Sequence, residues 1–137
     1  MPSRTEFQQL ADVRVAEAQA LLKAGLWDGA YYVAGYAIEF GLKACIAKLI
    51  KAEEYPPRKT DEYYNHDVGK LVKTAKLDAL QATMAKGDPE FSDNWTVVTR
   101  WSEGSRYERK SEAEARELFN AITDGSHGVL PWIKLHW

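Results

Sequence analysis

Histidine, cysteine and proline are scarce in this chain of 137 residues, which holds three, one and five of them. The single cysteine, Cys45, has no partner for a disulfide and lies in an apolar stretch, so it reads as a core thiol in a reducing compartment. With three histidines there is no His-x-x-x-His, no Cys pair and no Asp-rich loop, so neither a metal nor a cofactor is expected. A Gly-rich phosphate loop, a Gly-x-Ser-x-Gly elbow and a Ser/His/Asp arrangement are also missing, which removes the usual enzyme signatures. The formal net charge is only −2, so no global field draws the protein to nucleic acid or acidic lipid, and any basic site must be local. Uninterrupted hydrophobic runs are lacking too. The start, MPSRTEFQQLADVR, has no secretory apolar stretch, and the longest apolar segment is broken by Glu39, Lys43 and Lys48. A cytoplasmic protein that does not span a membrane is the expectation.

What the chain does have is Ala30 to Ile50, AYYVAGYAIEFGLKACIAKLI, with one carboxylate, Glu39, at its middle. At 3.6 residues per turn this run is apolar around most of its circumference, as expected for the central helix of a bundle. Glu39 falls on the side of Tyr32, Tyr36, Lys43 and Ile46, where a buried charge must be paired or hydrogen-bonded. By length the chain is one domain, of a size that buries roughly two-thirds of the surface its unfolded form exposes.

Helical periodicity continues on both sides. Phe7, Leu10, Ala11, Val15, Ala18, Leu21 and Leu22 make one face of a first helix, Gly25 stops it, and Asp28 is placed to cap the next, so the two form an antiparallel hairpin. Ala34, Ala37, Gly41 and Ala44 form a small-residue stripe open to close approach by another backbone. Glu53 to Asn65, with Pro56, Pro57 and three tyrosines, reads as a loop. A short helix follows through Val68, Leu71, Val72 and Ala75, with a further turn or two from Leu77 to Met84 and a break over Lys86 to Asp93. Asn94 to Trp101 fits both a strand and a helix; it is assigned as helix because nothing else offers a second strand. Ser111-Glu112-Ala113-Glu114 is a capping box opening a helix to about Thr123, and a short terminal helix surrounds Pro131. The predicted fold is all-α: an up-and-down bundle of four to five main helices plus a short C-terminal one.

Three constellations can carry chemistry. Glu39 with Tyr36 and Lys43 reads either as a structural ion pair or as a carboxylate acting as acid, base or ligand-binding group. Asn65-His66-Asp67 stands at a helix start, where Asn65 or Asp67 can cap; His66 titrates near neutrality and is the only histidine outside the C-terminal tail. From Arg100 to Lys110 basic residues interleave with Trp101 and Tyr107, a combination that grips phosphates and stacks bases. Glu103, Glu108 and Glu112 dilute that charge, and a solvated, salt-bridged loop is the alternative reading.

The segments Trp27-Asp28-Gly29-Ala30-Tyr31-Tyr32, Gly35-Tyr36-Ala37-Ile38-Glu39, Leu42-Lys43-Ala44, His66-Asp67, Trp101 through Ser105-Arg106-Tyr107, and Gly128-Val129-Leu130-Pro131-Trp132-Ile133 span nearly the whole chain. In order and spacing it resembles the small stand-alone bacterial subgroup of the HEPN family, the higher eukaryotes and prokaryotes nucleotide-binding domains. The resemblance implies a helical bundle, commonly a homodimer, whose second helix turns a polar residue, here Glu39, into a cleft. It also implies nucleotide or RNA binding, metal-independent ribonuclease activity in many members, and pairing with a nucleotidyltransferase in toxin–antitoxin or defence systems. The family's catalytic signature, Arg followed after four to six residues by His, is not met. Arg106, Arg109 and Arg116 are too far from His127, and seven residues separate Arg58 from His66. The expected site is therefore noncontiguous: His66, Arg106 and Glu39 as the reactive or phosphate-binding groups, with Tyr36, Lys43, Asp67, Arg100, Trp101, Tyr107 and Arg109 around the ligand. A ligand-binding protein leads, with an active endoribonuclease toxin and a purely structural interaction module as its rivals.

Overall fold

The computed structural model describes residues 2–51 and 63–137, and among these all regular structure is helical. The loop expected over Glu53 to Asn65 lies, as far as residue 62, outside the described residues, as does Arg58. Helix α1, Arg4–Lys23, opens on a reciprocal Ser3/Glu6 capping box, and Gly25 at φ +73° turns the chain directly into α2, Trp27–Lys51. Helices α3, Val68–Thr74; α4, Asp78–Gly87; α5, Pro89–Thr99; α6, Glu112–Thr123; and α7, Val129–Lys134 follow, with a short 3-10 helix at Glu103–Tyr107. Among the described residues, five helices of ten residues or more and two short ones match the expected bundle. None of the described helices is long and apolar enough to cross a membrane.

Helix α2 is the axis, packed against α1, α3, α6, α7 and the 3-10 helix. Its Ala37, Ile38, Leu42, Ala44 and Ile46 are wholly buried, as its all-round apolar pattern requires. The small-residue stripe is taken up inside the chain: a Cβ on Gly41 would stand 3.1 Å from Ile133 and 3.3 Å from Leu130 of α7. The aromatic tail docks there as well, with Trp132 only 6% exposed.

Two local expectations are corrected. Asp28 does not cap α2, which begins one residue earlier; its carboxylate reaches across the fold, accepting from the Lys110 backbone N–H at 2.6 Å and pairing with Arg109 Nε at 2.8 Å. The break over Lys86 to Asp93 shrinks to Asp88 alone. Gly87 and Pro89 look like a loop in sequence, but Asp88 accepts from the Phe91 N–H as N-cap and proline is well placed at the first helical position, so α5 starts at once.

Helix α5 is fastened at both ends. At its start His127 Nδ1 lies 2.7 Å from Asp88 Oδ2 and Nε2 lies 3.2 Å from Glu90, while Asn94 donates to the His127 carbonyl at 3.0 Å. Just past its end the Trp101 indole, 4% exposed, donates to the Tyr32 carbonyl at 3.1 Å and lies flat on Gly35, where an added Cβ would meet the ring at 2.1 Å.

Gly35→Ala must therefore push the indole off α2, and we expect a loss of about 1–3 kcal/mol or more in urea denaturation; an unchanged midpoint would refute the close packing. The His127 contact predicts a pH dependence. The hydrogen bond to Asp88 raises the imidazole above its ordinary value, and the same bond lowers Asp88. The Asp88 contribution is complete above its unfolded value near 3.8; that of His127 is complete below its unfolded value near 6.5 and fades as pH rises through the raised folded value. The melting-temperature gap between wild type and His127→Gln should narrow as pH rises from below 6.5 through the raised folded value of His127.

Candidate functional site

An apolar helix cannot hydrate a charge at its centre, so the surroundings of Glu39 decide the chemistry of this region. The carboxylate is 1% exposed, and both oxygens are satisfied by the protein. Oε2 accepts from Lys43 Nζ at 3.1 Å, one turn along α2. Oε1 lies 2.6 Å from Nδ1 of His66, which arrives from the segment before α3. That segment is held by its neighbours: Asn65 Oδ1 accepts from the Asp67 N–H at 2.9 Å, and Asp67 caps α3 by accepting from the Lys70 N–H at 3.0 Å. The His66 side chain stays 40% exposed, and its Nε2 lies 2.8 Å from Glu103 Oε2. The other Glu103 oxygen accepts from Arg106 Nη1 at 3.3 Å.

Lys43, Glu39, His66, Glu103 and Arg106 thus form one continuous polar chain, running from the core to the surface. Tyr36 sets its ring edge-on to His66 at 6.0 Å between centroids, and its hydroxyl lies 3.1 Å from that of Tyr32. Burial, then the Tyr32 contact, raises the Tyr36 hydroxyl well above the ordinary phenol value, so it stays protonated.

The remaining predicted residues divide. Beside His66 a groove of about 380 Å³ is lined by Asp67, Gly69, Arg100, Trp101 and Ser102 among others. Arg100 is 65% exposed there, with Glu117 3.8 Å away. Tyr107 is 79% exposed, and the Arg106 guanidinium lies 4.8 Å from its ring centroid. The Tyr107 side chain, followed by Tyr32 and Glu103, raises the Arg106 pKa, keeping the cation charged. Trp101 is not the surface aromatic that its charged neighbours suggest; it is buried on Gly35, and Tyr107 alone of the two offers a free face. Arg109 is drawn away to Asp28, into a second groove with Gly25, Leu26 and Lys110. Lys43 is 8% exposed, too deep to meet a ligand directly. Glu103 was missed by sequence reasoning, which counted it as dilution of the basic loop; its i, i+3 spacing to Arg106 was the available signal. Among the described residues no group of three His, Cys, Asp or Glu side chains is placed to hold a metal ion.

A polar chain thus leads from the central helix of a helical bundle to a surface turn, and the sequence profile of the HEPN domain matches residues 7–124. The chain belongs to the HEPN domain family. No curated protein and no solved structure matches it.

Among the described residues Glu39 serves two partners and Lys43 one, so their removal should differ. Glu39→Ala strands a buried ammonium and is expected to cost about 3–5 kcal/mol in urea denaturation, whereas Lys43→Met leaves Glu39 its His66 contact and costs less. Equal losses would show that the His66 contact adds nothing to the Glu39–Lys43 pair.

Proposed function

We propose that this HEPN protein binds single-stranded RNA, with His66 and Arg106 on a phosphate and Tyr107 under a base. The observation that carries the reading is the exposed Arg106 guanidinium lying on the exposed Tyr107 ring and joined to His66 through a single carboxylate. Guanidinium and imidazole N–H groups both donate to phosphate oxygens, and an open aromatic face stacks any base. Arg100, in the groove on the other side of His66, extends the positive surface beyond what one mononucleotide phosphate requires. The family's association with nucleotides and RNA supports the same assignment. By that family likeness, the reading includes a cytoplasmic homodimer and a nucleotidyltransferase-type partner in a toxin–antitoxin or defence setting.

A second reading, metal-independent endoribonuclease, is favoured by one feature. Buried Glu39 against Nδ1 fixes the His66 ring and turns Nε2 outward, the orientation of a histidine that moves protons. There His66 would activate the RNA 2′-hydroxyl and Arg106 would hold the phosphate.

A pool of end-labelled RNAs, incubated with EDTA, tests both. Wild type should retain RNA in filter binding, and Arg106→Ala and His66→Ala should weaken retention about tenfold or more. Arg106→Ala should leave stability within about 1 kcal/mol, as an exposed substitution does. Cleavage by wild type, absent in both variants, would establish the nuclease; equal RNA retention by all three proteins would remove His66 and Arg106 from the RNA site, and no retention by wild type would remove RNA binding.

A further inference from the structure

The place an RNA phosphate needs, between His66 Nε2 and Arg106 Nη1, is filled by the protein itself. One carboxylate spans both groups, with Glu103 Oε2 2.8 Å from the imidazole and Oε1 3.3 Å from the guanidinium. We infer that Glu103 is an internal substitute for a phosphodiester, closing the site in the free protein and leaving when a ligand phosphate takes its place. The inference rests on the RNA-binding reading above and assigns its phosphate seat.

Charge and shape carry the first part of the argument. A carboxylate and a phosphodiester each present one negative charge on two equivalent oxygens, so the exchange keeps both donors satisfied and the cluster's charge unchanged. The two glutamates of the cluster also differ in the way the inference requires. Glu39, 1% exposed, is itself enclosed by the protein, whereas the Glu103 side chain is 35% exposed and meets water as soon as it turns out. Its contact with Arg106 is longer than the about 2.7–2.9 Å of a strong charge-assisted bond, so that half of the bridge yields readily.

The backbone supplies the second part, because the segment bearing Glu103 is held by other groups. Before it, the Trp101 indole is bonded to the Tyr32 carbonyl; within it, buried Ser105 accepts from the Ser102 N–H at 3.4 Å and donates its own N–H to the Ser102 carbonyl at 3.0 Å. After it, the Lys110 N–H is tied to Asp28. Glu103 can therefore rotate about its own side-chain bonds while the turn, and Arg106 with it, stays in place. The apparent affinity for an anion is then the intrinsic affinity multiplied by the fraction of molecules in which the carboxylate is turned out.

The test is a titration with inorganic phosphate, followed through the ring nitrogen resonances of ¹⁵N-histidine-labelled protein, with the His66 signals assigned by their loss in His66→Gln. Glu103→Gln and Glu103→Ala should each reach half-saturation at about tenfold less phosphate than wild type. Glu108→Gln, which removes the same charge from the same loop, should stay within about twofold. Equal half-saturation in wild type and both Glu103 variants would overturn the inference, as would an equal gain in Glu108→Gln. A labelled single-stranded RNA separates this outcome from the fate of the RNA reading. RNA that binds wild type and Glu103→Gln alike but not Arg106→Ala would keep that reading and remove the role of Glu103. A phosphate gain in the Glu103 variants with RNA bound by none would remove the RNA reading and keep the anion seat.

Discussion

The burial of one carboxylate at the centre of α2 sets the terms for the rest of the molecule. Glu39 cannot be hydrated where it stands, so the fold must bring it donors, and a single helix supplies only Lys43. The second donor, His66, comes from a segment 27 residues away. That contact fixes where α3 begins against α2, and it holds a titratable ring at the boundary between core and solvent. A leucine at position 39 would suit the apolar run better, but nothing would then orient the imidazole. The polar residue in the apolar helix gains meaning from the histidine it holds.

The other side of the site is placed by shape rather than charge. Gly35 leaves a flat surface on α2, the Trp101 indole fills it, and the indole N–H takes the carbonyl of Tyr32. Helix α5 is thereby stopped at a defined point, and the 3-10 helix that follows carries Glu103 and Arg106 to His66. At the far end of α5 the His127 and Asp88 contact fixes its start. Both ends of the helix are thus fastened before any ligand arrives, and side chains on the turn can move without the scaffold moving.

Much of the architecture was legible because it depends on local rules. The apolar period of α2, the Ser111 capping box and Gly25 after α1 each specify an element from a few adjacent residues. The misread places were those where one residue type serves two opposite local purposes. Gly87 and Pro89 break a helix when read forwards and start one when Asp88 caps it; Asp28 looks like a cap and is used as a clasp 82 residues away. The site was legible only in part. Glu39, His66 and Arg106 stood out as chemistry among neighbours that did not need it, but Trp101 looked exposed because its sequence neighbours are charged. Its seat on Gly35 is a contact between distant segments that no local pattern encodes. Glu103 had a local signal in its i, i+3 spacing to Arg106, but such a pair is ordinary in a mixed-charge loop until His66, across the fold, is known to meet it.

A comparison within the protein shows what distinguishes the region around His66. Both His66 and His127 lie between two carboxylates, so the arrangement of acid, imidazole and acid does not by itself mark function. At His127 the nearer carboxylate is a helix cap, and the histidine's own carbonyl is bonded to Asn94, so the cluster ends in backbone and closes a corner of the fold. At His66 the inner carboxylate is buried in the central helix and the outer one also holds a guanidinium on an exposed aromatic ring. The first arrangement can only hold elements together. The second sets two donors at the surface around a single anion, and a group held that way can be exchanged for another of the same charge and shape.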